Sequence, residues 1–499
     1  MTPSPINIFA VAARTAALTV LATMLQLLHA EAASAPPNIL YIIADDLGWK
    51  DVGFHGSDIK TPTLDALAAT GAKLDQFYAE PMCTPTRAAL MTGRYPLRYG
   101  LQTAVIPQGH AYGLATDEWL LPQALKDAGY ETAIIGKWHL GHADRKFWPR
   151  QRGFDYQYGP LIGEIDYFTH KVDGKVDWYR NNEVVEEEGY STTLLGNDAV
   201  RLIEEHDPAK PLFLYLAFNA VHTPYQAPQE YLDKYKNIGD PSRRAYAASA
   251  TAMDDQIGRV VQALAEKKML DDTLIVFQSD NGGTRNPMFA GAITDMSKVV
   301  LPADNGPYRD GKGTLYEGGT RVVALASWPG HIREGSVVNE MIHTVDLYPT
   351  LVGLAGGRLD KSNPLDGVDV WGTISEGTPS PRTELVYNIE PFRAAIREGD
   401  WKLIWRTLLP QSVELYNIAK DPSETTNLAA EQPEKVAELQ RRINQLAAEA
   451  EKPILLQIEV KNILERMRLR KSRSAGGSER MRSNACAAPP RKPACPARM

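Results

Sequence analysis

The sequence predicts an α/β fold with a large, mostly parallel central sheet flanked by helices. The first observation is a set of apolar runs without polar alternation, which predicts strands buried on both faces: residues 38–44, 132–136, 212–218 and 273–279. The second observation is that helical patterns separate these runs, as at 120–129 and 246–268. Strands that alternate with helices are typical of parallel sheets. The length of 499 residues allows one large domain with a smaller one attached.

Polar residues follow each of the four predicted strands. Because ligands of such sheets bind beyond the carboxyl ends of the strands, these residues form a candidate site: Asp45, Asp46, Lys137, His139, His222, Asp280 and Asn281. Taken singly, an Asp pair after a strand is more often a turn or a helix cap. A single Lys is more often on the surface, and a single His more often in the core. The prediction therefore depends on their shared location.

Two short helices are predicted near the first strand. Thr61 as cap, Pro62 at the first position and Gly71 at the end mark one of them. Cys83 begins the other, because Pro85 suits a first turn, 88–91 are good helix formers and Gly93 suits the end. A helix N-terminus presents free N–H groups that favour anionic ligands.

A second, smaller α+β unit is predicted after residue 380. Residues 384–388, 392–397 and 401–405 indicate short antiparallel strands. A helix follows over 433–450, with Val436, Leu439, Ile443 and Leu446 at helical spacing. The predicted domains are thus 36–380, which carries the candidate site, and 381–452.

The two ends of the chain differ from its body. Arg14, the apolar run 16–28 and small residues in an A-x-A pattern predict a signal peptide over 1–35, and the run is too short for a membrane anchor. Of 54 basic and 61 acidic residues, 461–499 hold 11 and 2. The segment 453–499 is therefore interpreted as a basic, disordered tail, unless the reading frame changes there. The acidic body argues against nucleic acid as a partner.

Three cysteines occur in the chain, and Cys83 alone lies in its body, since Cys486 and Cys495 lie in the tail. A lone cysteine is commonly a small buried hydrophobe, but Pro85 and Arg87 beside it argue for special chemistry. The oxygen donors Asp45, Asp46, Asp280 and Asn281 suit Ca²⁺ or Mg²⁺ and argue against Zn²⁺, which prefers His and Cys.

The motif Cys83-Thr84-Pro85-Thr86-Arg87, followed by Thr92-Gly93-Arg94, resembles the signature of type I sulfatases. The resemblance covers roughly 37–452 and is closest to the arylsulfatase B-like group, which includes N-acetylgalactosamine-4-sulfatase. Its further blocks are 44–49, 136–141, 221–224, 279–283, 312–319, 414–417 and 421–422. It implies an alkaline-phosphatase-like fold with a C-terminal α+β domain.

The resemblance also implies roles for the site residues. Cys83 would be converted by a maturation enzyme to Cα-formylglycine, whose hydrated aldehyde is the family's nucleophile. One Ca²⁺ would be held by Asp45, Asp46, Asp280, Asn281 and the modified Cys83. Arg87 would hold the formylglycine, Lys137 and Lys312 would bind sulfate oxygens, and His139 would contact a hydroxyl of the hydrate. His222, with or without Lys312, would protonate the leaving oxygen, and Asp280 could accept the nucleophile's proton.

These expectations describe a periplasmic or secreted sulfatase, with no nucleic-acid partner and no membrane insertion after signal cleavage. Its substrate would be an aryl sulfate or a sulfated sugar such as N-acetylgalactosamine 4-sulfate. One alternative is a formylglycine-dependent phosphonate or phosphodiester hydrolase, although those relatives tend to have Asp-His where this chain has Asp280-Asn281. Another is a non-catalytic binder of sulfated glycans. The aromatic residues of 163–170 could stack on a substrate ring or belong to the core.

Overall fold

The computed structural model describes residues 36–285, 301–407 and 411–466. The predicted signal peptide and the tail beyond residue 466 lie outside these ranges. The strands are, in chain order, β1 (Asn38–Ala44), β2 (Ala72–Leu74), β3 (Phe77–Tyr78), β4 (Glu131–Gly136), β5 (Tyr156–Gly159), β6 (Lys171–Val172), β7 (Lys175–Val176), β8 (Tyr179–Arg180), β9 (Glu183–Val184), β10 (Leu212–Ala217), β11 (Thr273–Ser279), β12 (Ala324–Ser327), β13 (Ser336–Val338), β14 (Ile342–His343), β15 (Glu384–Ile389), β16 (Arg393–Glu398), β17 (Trp401–Arg406) and β18 (Ser412–Asn417).

The helices are α1 (Pro62–Thr70), α2 (Cys83–Thr92), α3 (Leu121–Asp127), α4 (Ser191–Glu205), α5 (Gln229–Lys234), α6 (Pro241–Glu266), α7 (Glu317–Thr320), α8 (Leu347–Leu354), α9 (Trp371–Glu376), α10 (Pro433–Glu449) and α11 (454–466). The first helix starts and stops where the sequence predicts, although the Thr61 side chain does not cap it. Asp254 of α6 accepts the Thr63 and Leu64 N–H groups instead, at 2.9 and 2.8 Å. The cap of α1 is therefore a tertiary contact.

The central sheet has the strand order β13-β2-β12-β11-β1-β10-β4-β5-β8-β9. Its middle, from β11 through β1, β10 and β4 to β5, is parallel, which confirms the prediction of a mostly parallel α/β sheet. Antiparallel pairs lie towards both edges. The last residues of the central strands are in register, with Ala44 beside Ser279 and Gly136 beside Ala217. The polar residues that follow these strands therefore emerge at one edge of the sheet.

The sheet is buried on both faces, as its apolar strands predict. On β1, Ile39, Tyr41 and Ile43 pack into one hydrophobic cluster with residues of α2, α3 and α8. Leu40, Ile42 and Ala44 pack into a second cluster with residues of α1, α4 and α6. The site at the carboxyl edge therefore rests on a core of three layers.

The C-terminal unit is a four-stranded antiparallel sheet in the order β15-β16-β17-β18, covered by α10. Leu439, Ile443 and Leu446 of α10 are buried, as their helical spacing predicts. The sequence indicated three of these strands, and the structure adds β18. Apolar residues of both units share one cluster, in which Ala89 of α2 lies with Leu403 of β17. The small sheet thus supports the helix that carries Cys83.

The segment after α10 differs from the disordered tail that the sequence predicts. Residues 454–466 form α11, and the Ile454 N–H at its start donates to the Gly100 carbonyl at 2.9 Å. Cys486, Cys495 and the rest of the predicted tail lie outside the described residues. None of the helices that the structure describes is long and apolar enough to cross a membrane.

Candidate active site

Cys83 is the first residue of α2 and lies at the bottom of a cavity. Every residue of this helix is buried, and Cys83 itself is 1% exposed. Gly93 ends the helix with φ 67°, a left-handed conformation that glycine adopts without strain. At the other end, the Thr84 hydroxyl donates to the His139 carbonyl at 2.9 Å. The sequence predicted both ends of this helix, and its first turn is fixed against the loop after β4.

Three carboxylates from two neighbouring strand ends surround the Cys83 side chain. The Cys83 Sγ lies 3.4 Å from Asp45 Oδ1. Asp46 follows with φ 65°, so that its carboxylate points to a different set of partners. Asp280, after β11, accepts the Asp46 N–H at 3.2 Å. Since all three are buried, their charges need partners close by.

Each of these carboxylates has a cationic partner. Lys137 Nζ lies 2.5 Å from Asp45 Oδ2, and Lys312 Nζ lies 2.8 Å from Asp46 Oδ2. The fully buried Arg87 donates from Nε and Nη2 to Asp280 Oδ2, at 3.1 and 2.9 Å. The cations come from α2, the loop after β4 and the loop before α7, so the fold brings distant segments of the chain to one point.

The turn after β4 depends on two glycines. Gly136 has φ 113°, and a Cβ there would lie 1.8 Å from the Ala217 carbonyl oxygen. Gly163 lies against the His139 ring, where a Cβ would be 2.3 Å from Cε1. The His139 Nδ1 is buried and has no hydrogen-bond partner among the described residues. These contacts hold the imidazole beside the cavity.

His222 follows β10 and faces Asp46. Its Nδ1 donates to its neighbour's carbonyl, that of Thr223, at 2.8 Å, which leaves Nε2 3.6 Å from Asp46 Oδ2. The Tyr167 hydroxyl donates to the carbonyls of Asn219 and His222, at 2.6 and 2.9 Å. Tyr167 is therefore a buried support of this loop, and Phe168 beside it is exposed. In the part of the chain that the structure describes, neither of these two rings is among the residues that line the cavity. For Tyr167, this favours the interpretation as a core residue.

Burial and the local charges shift several pKa values. Burial, with Asp280 nearby, raises the pKa of the Cys83 thiol well above its usual range. Burial and Asp45 raise the pKa of Asp280 to about 6. Burial and Lys312 lower the pKa of His222 to about 4, and burial and Lys137 lower that of His139. Although burial opposes it, Lys312 keeps the pKa of Asp46 below its usual value. An unmodified Cys83 is thus a protonated thiol and a weak nucleophile.

The donors of the predicted metal site meet at this point. Four possible ligand atoms lie within 4.8 Å of one another, one each from Asp45, Asp46, Cys83 and His222. Asp280 contacts the same group through the Asp46 N–H, and Asn281 Nδ2 donates to Asp46 Oδ1 at 2.7 Å. Asn281 Oδ1 is buried without a hydrogen-bond partner among the described residues. His222 is nearer to this cluster than the sequence indicated.

Two hydroxyl residues to which the sequence assigned no role complete the site. The Thr284 hydroxyl donates to Asp46 Oδ2 at 3.1 Å. Ser279 Oγ accepts the Leu47 N–H at 3.0 Å and donates to the Asn281 carbonyl at 2.8 Å. Ser279 directly precedes the Asp280-Asn281 pair and Thr284 follows it by three residues, so proximity to that motif was the available signal.

A cavity of about 690 Å³ opens above these groups. Cys83, His139, His222 and Lys312 lie at its floor, the loop 105–108 forms one wall, and the loop 162–166 with the β6–β7 hairpin forms another. This volume lies within the range of ~300–1,000 Å³ that is usual for small-molecule sites. Lys137 and Arg87 lie behind the floor, against Asp45 and Asp280.

An α/β sheet with buried carboxylates, paired cations and a helix N-terminus at the carboxyl edge defines a class of hydrolases for anionic esters. Within that class, residues 37–357 match the Sulfatase family, and 308–451 match the family described as N-sulphoglucosamine sulphohydrolase, C-terminal. The chain belongs to the sulfatase family and is a sulfuric ester hydrolase. The expectations of family and enzyme class are confirmed.

Relatives cover most of the chain. Arylsulfatase J of Mus musculus is 37% identical over 469 residues, which cover 83% of this chain and 76% of that protein. N-acetylgalactosamine-6-sulfatase of Homo sapiens is 35% identical over 387 residues, or 73% and 71% of the two chains. The crystal structure of Ps i-CgsB in complex with k-i-k-neocarrahexaose is 33% identical, with a TM-score of 0.75 over 84% of this chain and 94% of that one.

Proposed function

We propose that this protein is an exported sulfatase of sulfated sugars or aryl sulfates that uses a formylglycine formed from Cys83 and one calcium ion. The observation that carries the proposal is the cavity floor, where Cys83 meets the Lys312 ammonium and the His139 and His222 rings. A sulfate monoester is an anion, and fixed cations and N–H donors offset the charge on its oxygens. A sugar substrate is supported by relatives named as an N-acetylgalactosamine-6-sulfatase and a complex with a neocarrahexaose.

The donor set fits a hard divalent cation. Asp45, Asp46 and Asp280 are buried carboxylates, and the side-chain Oδ1 of Asn281 is buried without a hydrogen-bond partner among the described residues. Oxygen donors of this kind suit Ca²⁺ or Mg²⁺, and we assign the site to Ca²⁺. When bound, the ion would add positive charge beside the sulfate. Lys137 contacts Asp45 and Lys312 contacts Asp46. Lys312 also faces the cavity.

The residues around position 83 have separate roles in this proposal. The hydrated aldehyde of a formylglycine would supply a nucleophilic hydroxyl that a protonated thiol does not. Asp280 and the Lys137 carbonyl fix the Arg87 guanidinium behind it. Lys137 and Lys312 bind sulfate oxygens, and His139 contacts the nucleophile's hydroxyl. Because its Nδ1 donates to a backbone carbonyl, His222 presents Nε2 to the cavity. Burial and Lys312 hold the pKa of this ring at about 4, so the acid role requires that the anionic substrate raises this pKa and protonates Nε2, which can then donate to the leaving oxygen.

The remaining parts of the proposal rest on the sequence. The predicted signal peptide supports export to the periplasm or the medium, with cleavage before the body of the protein. The motif from Cys83 to Arg87 supports a maturation enzyme as a partner.

Mass spectrometry of the Cys83 peptide, together with turnover by the same preparation, tests the proposal. Protein from the native host should contain formylglycine at position 83 and should hydrolyse an aryl sulfate much faster than an aryl phosphate diester or a phosphonate. Cys83→Ala should fold and lose turnover, since it removes the nucleophile and little volume. Full activity with unmodified Cys83 would contradict the mechanism. Faster phosphonate turnover would favour the phosphonate hydrolase, and no turnover of any ester would favour a binder.

A further inference from the structure

We propose that Glu164 determines specificity, by accepting hydrogen bonds from the sugar that carries the sulfate and by excluding sugars with a second negative charge near it. The inference rests on the proposed function and adds the substrate class. Glu164 lines the same cavity as Cys83, His222 and Lys312. Its side chain is half-buried and forms no hydrogen bond or ion pair with any residue that the structure describes.

The backbone that carries Glu164 is fixed on both sides. Before it, the N–H groups of Leu161 and Ile162 donate to the buried Asp177 carboxylate at 3.0 and 2.8 Å. After it, Asp166 accepts the Phe168 and Thr169 N–H groups at 3.1 and 2.8 Å. These bonds fix the backbone on either side of Glu164, so its side chain starts from a fixed point at the cavity and is within reach of a bound ligand.

Glu164 differs from the other carboxylates of the site because they already have partners. Asp45, Asp46 and Asp280 each pair with a buried cation. Asp166, on the same loop, is satisfied by backbone N–H groups and by the Gln226 amide at 2.8 Å. A half-buried carboxylate without a protein donor is a strong acceptor for hydroxyl groups. The hydroxyls of a sugar beside its sulfate ester are donors of the required kind.

The charge of the upper cavity points to the same substrate class. Above the floor, the described lining residues include three carboxylates, Glu164, Asp166 and Asp173, and one ammonium, Lys171. Lys171 and Asp173 lie in the same β6–β7 hairpin, so their charges largely offset each other at a distance. A second sulfate or a uronate next to the scissile ester would face the remaining carboxylates and be repelled. The favoured substrate is therefore a sulfate ester on an otherwise neutral sugar with free hydroxyls.

The test compares matured wild-type protein, Glu164→Gln and Glu164→Asp on 4-nitrophenyl sulfate, a galactose monosulfate and a galactose disulfate. In Glu164→Gln, kcat/KM for the monosulfate relative to the aryl sulfate should fall about tenfold or more, because a charged acceptor is lost. The ratio of kcat/KM for the monosulfate to kcat/KM for the disulfate should fall as well. Glu164→Asp keeps the charge and shortens the side chain, so it should lose the monosulfate preference and retain the discrimination. Glu230→Gln removes one exposed carboxylate away from the cavity and should leave both ratios unchanged.

Two outcomes would overturn the inference alone. One is a Glu164→Gln variant that hydrolyses the aryl sulfate and has the same kcat/KM ratios as the wild type, both for monosulfate against aryl sulfate and for monosulfate against disulfate. The other is a wild-type protein that prefers the disulfate. Absence of turnover on all three esters by protein that contains formylglycine would overturn the proposed function, and this inference with it. Melting temperatures of the variants within a few degrees of the wild type establish that they are folded.

Discussion

Asp45 and Asp46 are neighbours in the sequence but serve different partners. Asp45 lies between Cys83 and Lys137, whereas Asp46 faces Lys312 and His222. The left-handed backbone of Asp46, at φ 65°, separates the two carboxylates, and Asp tolerates this conformation better than most residues. A single turn after β1 thereby binds two ammonium groups of the site, those of Lys137 and Lys312.

His222→Ala should affect substrates according to their leaving groups. Hydrolysis of a sugar sulfate should fall by ~10²–10⁴-fold, because the sugar alcohol needs a proton as the bond breaks. Turnover of 4-nitrophenyl sulfate should fall much less, since the phenolate leaves without one. Steady-state kinetics on both substrates provide the measurement, with His331→Ala, an exposed position, as the control. Equal losses on both would remove His222 from the acid role.

Gly163→Ala should lower kcat through His139. The new Cβ would lie 2.3 Å from the ring and must displace it. A shift of about 1 Å in a catalytic group can cost ~100-fold in rate, and overpacking costs about 1–3 kcal/mol of stability. Gly239→Ala is the matched control, because nothing lies within 4 Å of a Cβ there. Wild-type kcat in Gly163→Ala would show that the position of this imidazole does not limit the reaction.

Between elements, a buried ionic group joins the small sheet to the catalytic unit. Lys402 of β17 lies 2.9 Å from Glu317 of α7 and 2.8 Å from Glu424, and all three side chains are inaccessible to solvent. Although burial opposes it, Lys402 holds the pKa of Glu317 at about 2. Burial raises the pKa of Glu424 to about 7, and nearby Glu317 adds to the rise. The Lys402 ammonium thus offsets the full negative charge of Glu317, while the Glu424 carboxyl remains partly protonated at neutral pH.

Glu424→Gln should flatten the pH dependence of stability. The Glu424 carboxyl has a pKa of about 7 in the folded state, against an ordinary value of 4.5. Its protonation therefore stabilises the fold below pH 4.5, and this stabilisation is lost as the pH rises through 7. The loss is of the order of 3 kcal/mol. The melting temperature of the wild type should therefore fall more between pH 5 and 8 than that of Glu424→Gln. Glu431→Gln, at an exposed position, should behave like the wild type. Parallel curves for Glu424→Gln and wild type would contradict this account.

At the scale of the whole molecule, the candidate metal site ties the two strands at the centre of the sheet to α2. Asp45 and Asp46 follow β1, Asp280 follows β11, and Arg87 of α2 binds Asp280. Without an ion, the charges of the three buried carboxylates are offset chiefly by Arg87, Lys137 and Lys312. Binding of a cation to the folded state only would stabilise the entire fold through mass action.

Removal of divalent ions should lower the melting temperature, and Ca²⁺ should restore it. At about 100 times its dissociation constant, a ligand adds about 2.7 kcal/mol. Asp280→Ala should lose both the response and the enzymatic activity, because it removes a proposed ligand. Calorimetry with and without a chelator, together with elemental analysis of native protein, is the measurement. Stoichiometric zinc in place of calcium or magnesium would contradict the assignment.

The sequence predicts best what is determined locally. β1 and β11 match their predicted bounds because both faces are buried and the middle of each strand is an unbroken apolar run. β2, β12 and β13 are short, and β18 alternates with polar residues such as Glu414, so composition alone did not mark them as strands. The site residues could be predicted as a group, because strand ends meet at one edge. Their pairing could not, since Arg87 and Asp280 are 193 residues apart and only the tertiary fold joins them.

The burial of Cys83 has a consequence for how the protein is made. At 1% exposure, and within a helix that has no accessible residue, the thiol is beyond the reach of any modifying enzyme once α2 has packed. Under the proposed function, a maturation enzyme would have to bind this stretch as an extended peptide, so modification and folding would compete in time during biosynthesis. Chains that fold first would keep an unmodified Cys83 and lack the proposed nucleophile. Synthesis faster than maturation would therefore yield a mixed population, and a later supply of the enzyme would not rescue the folded fraction.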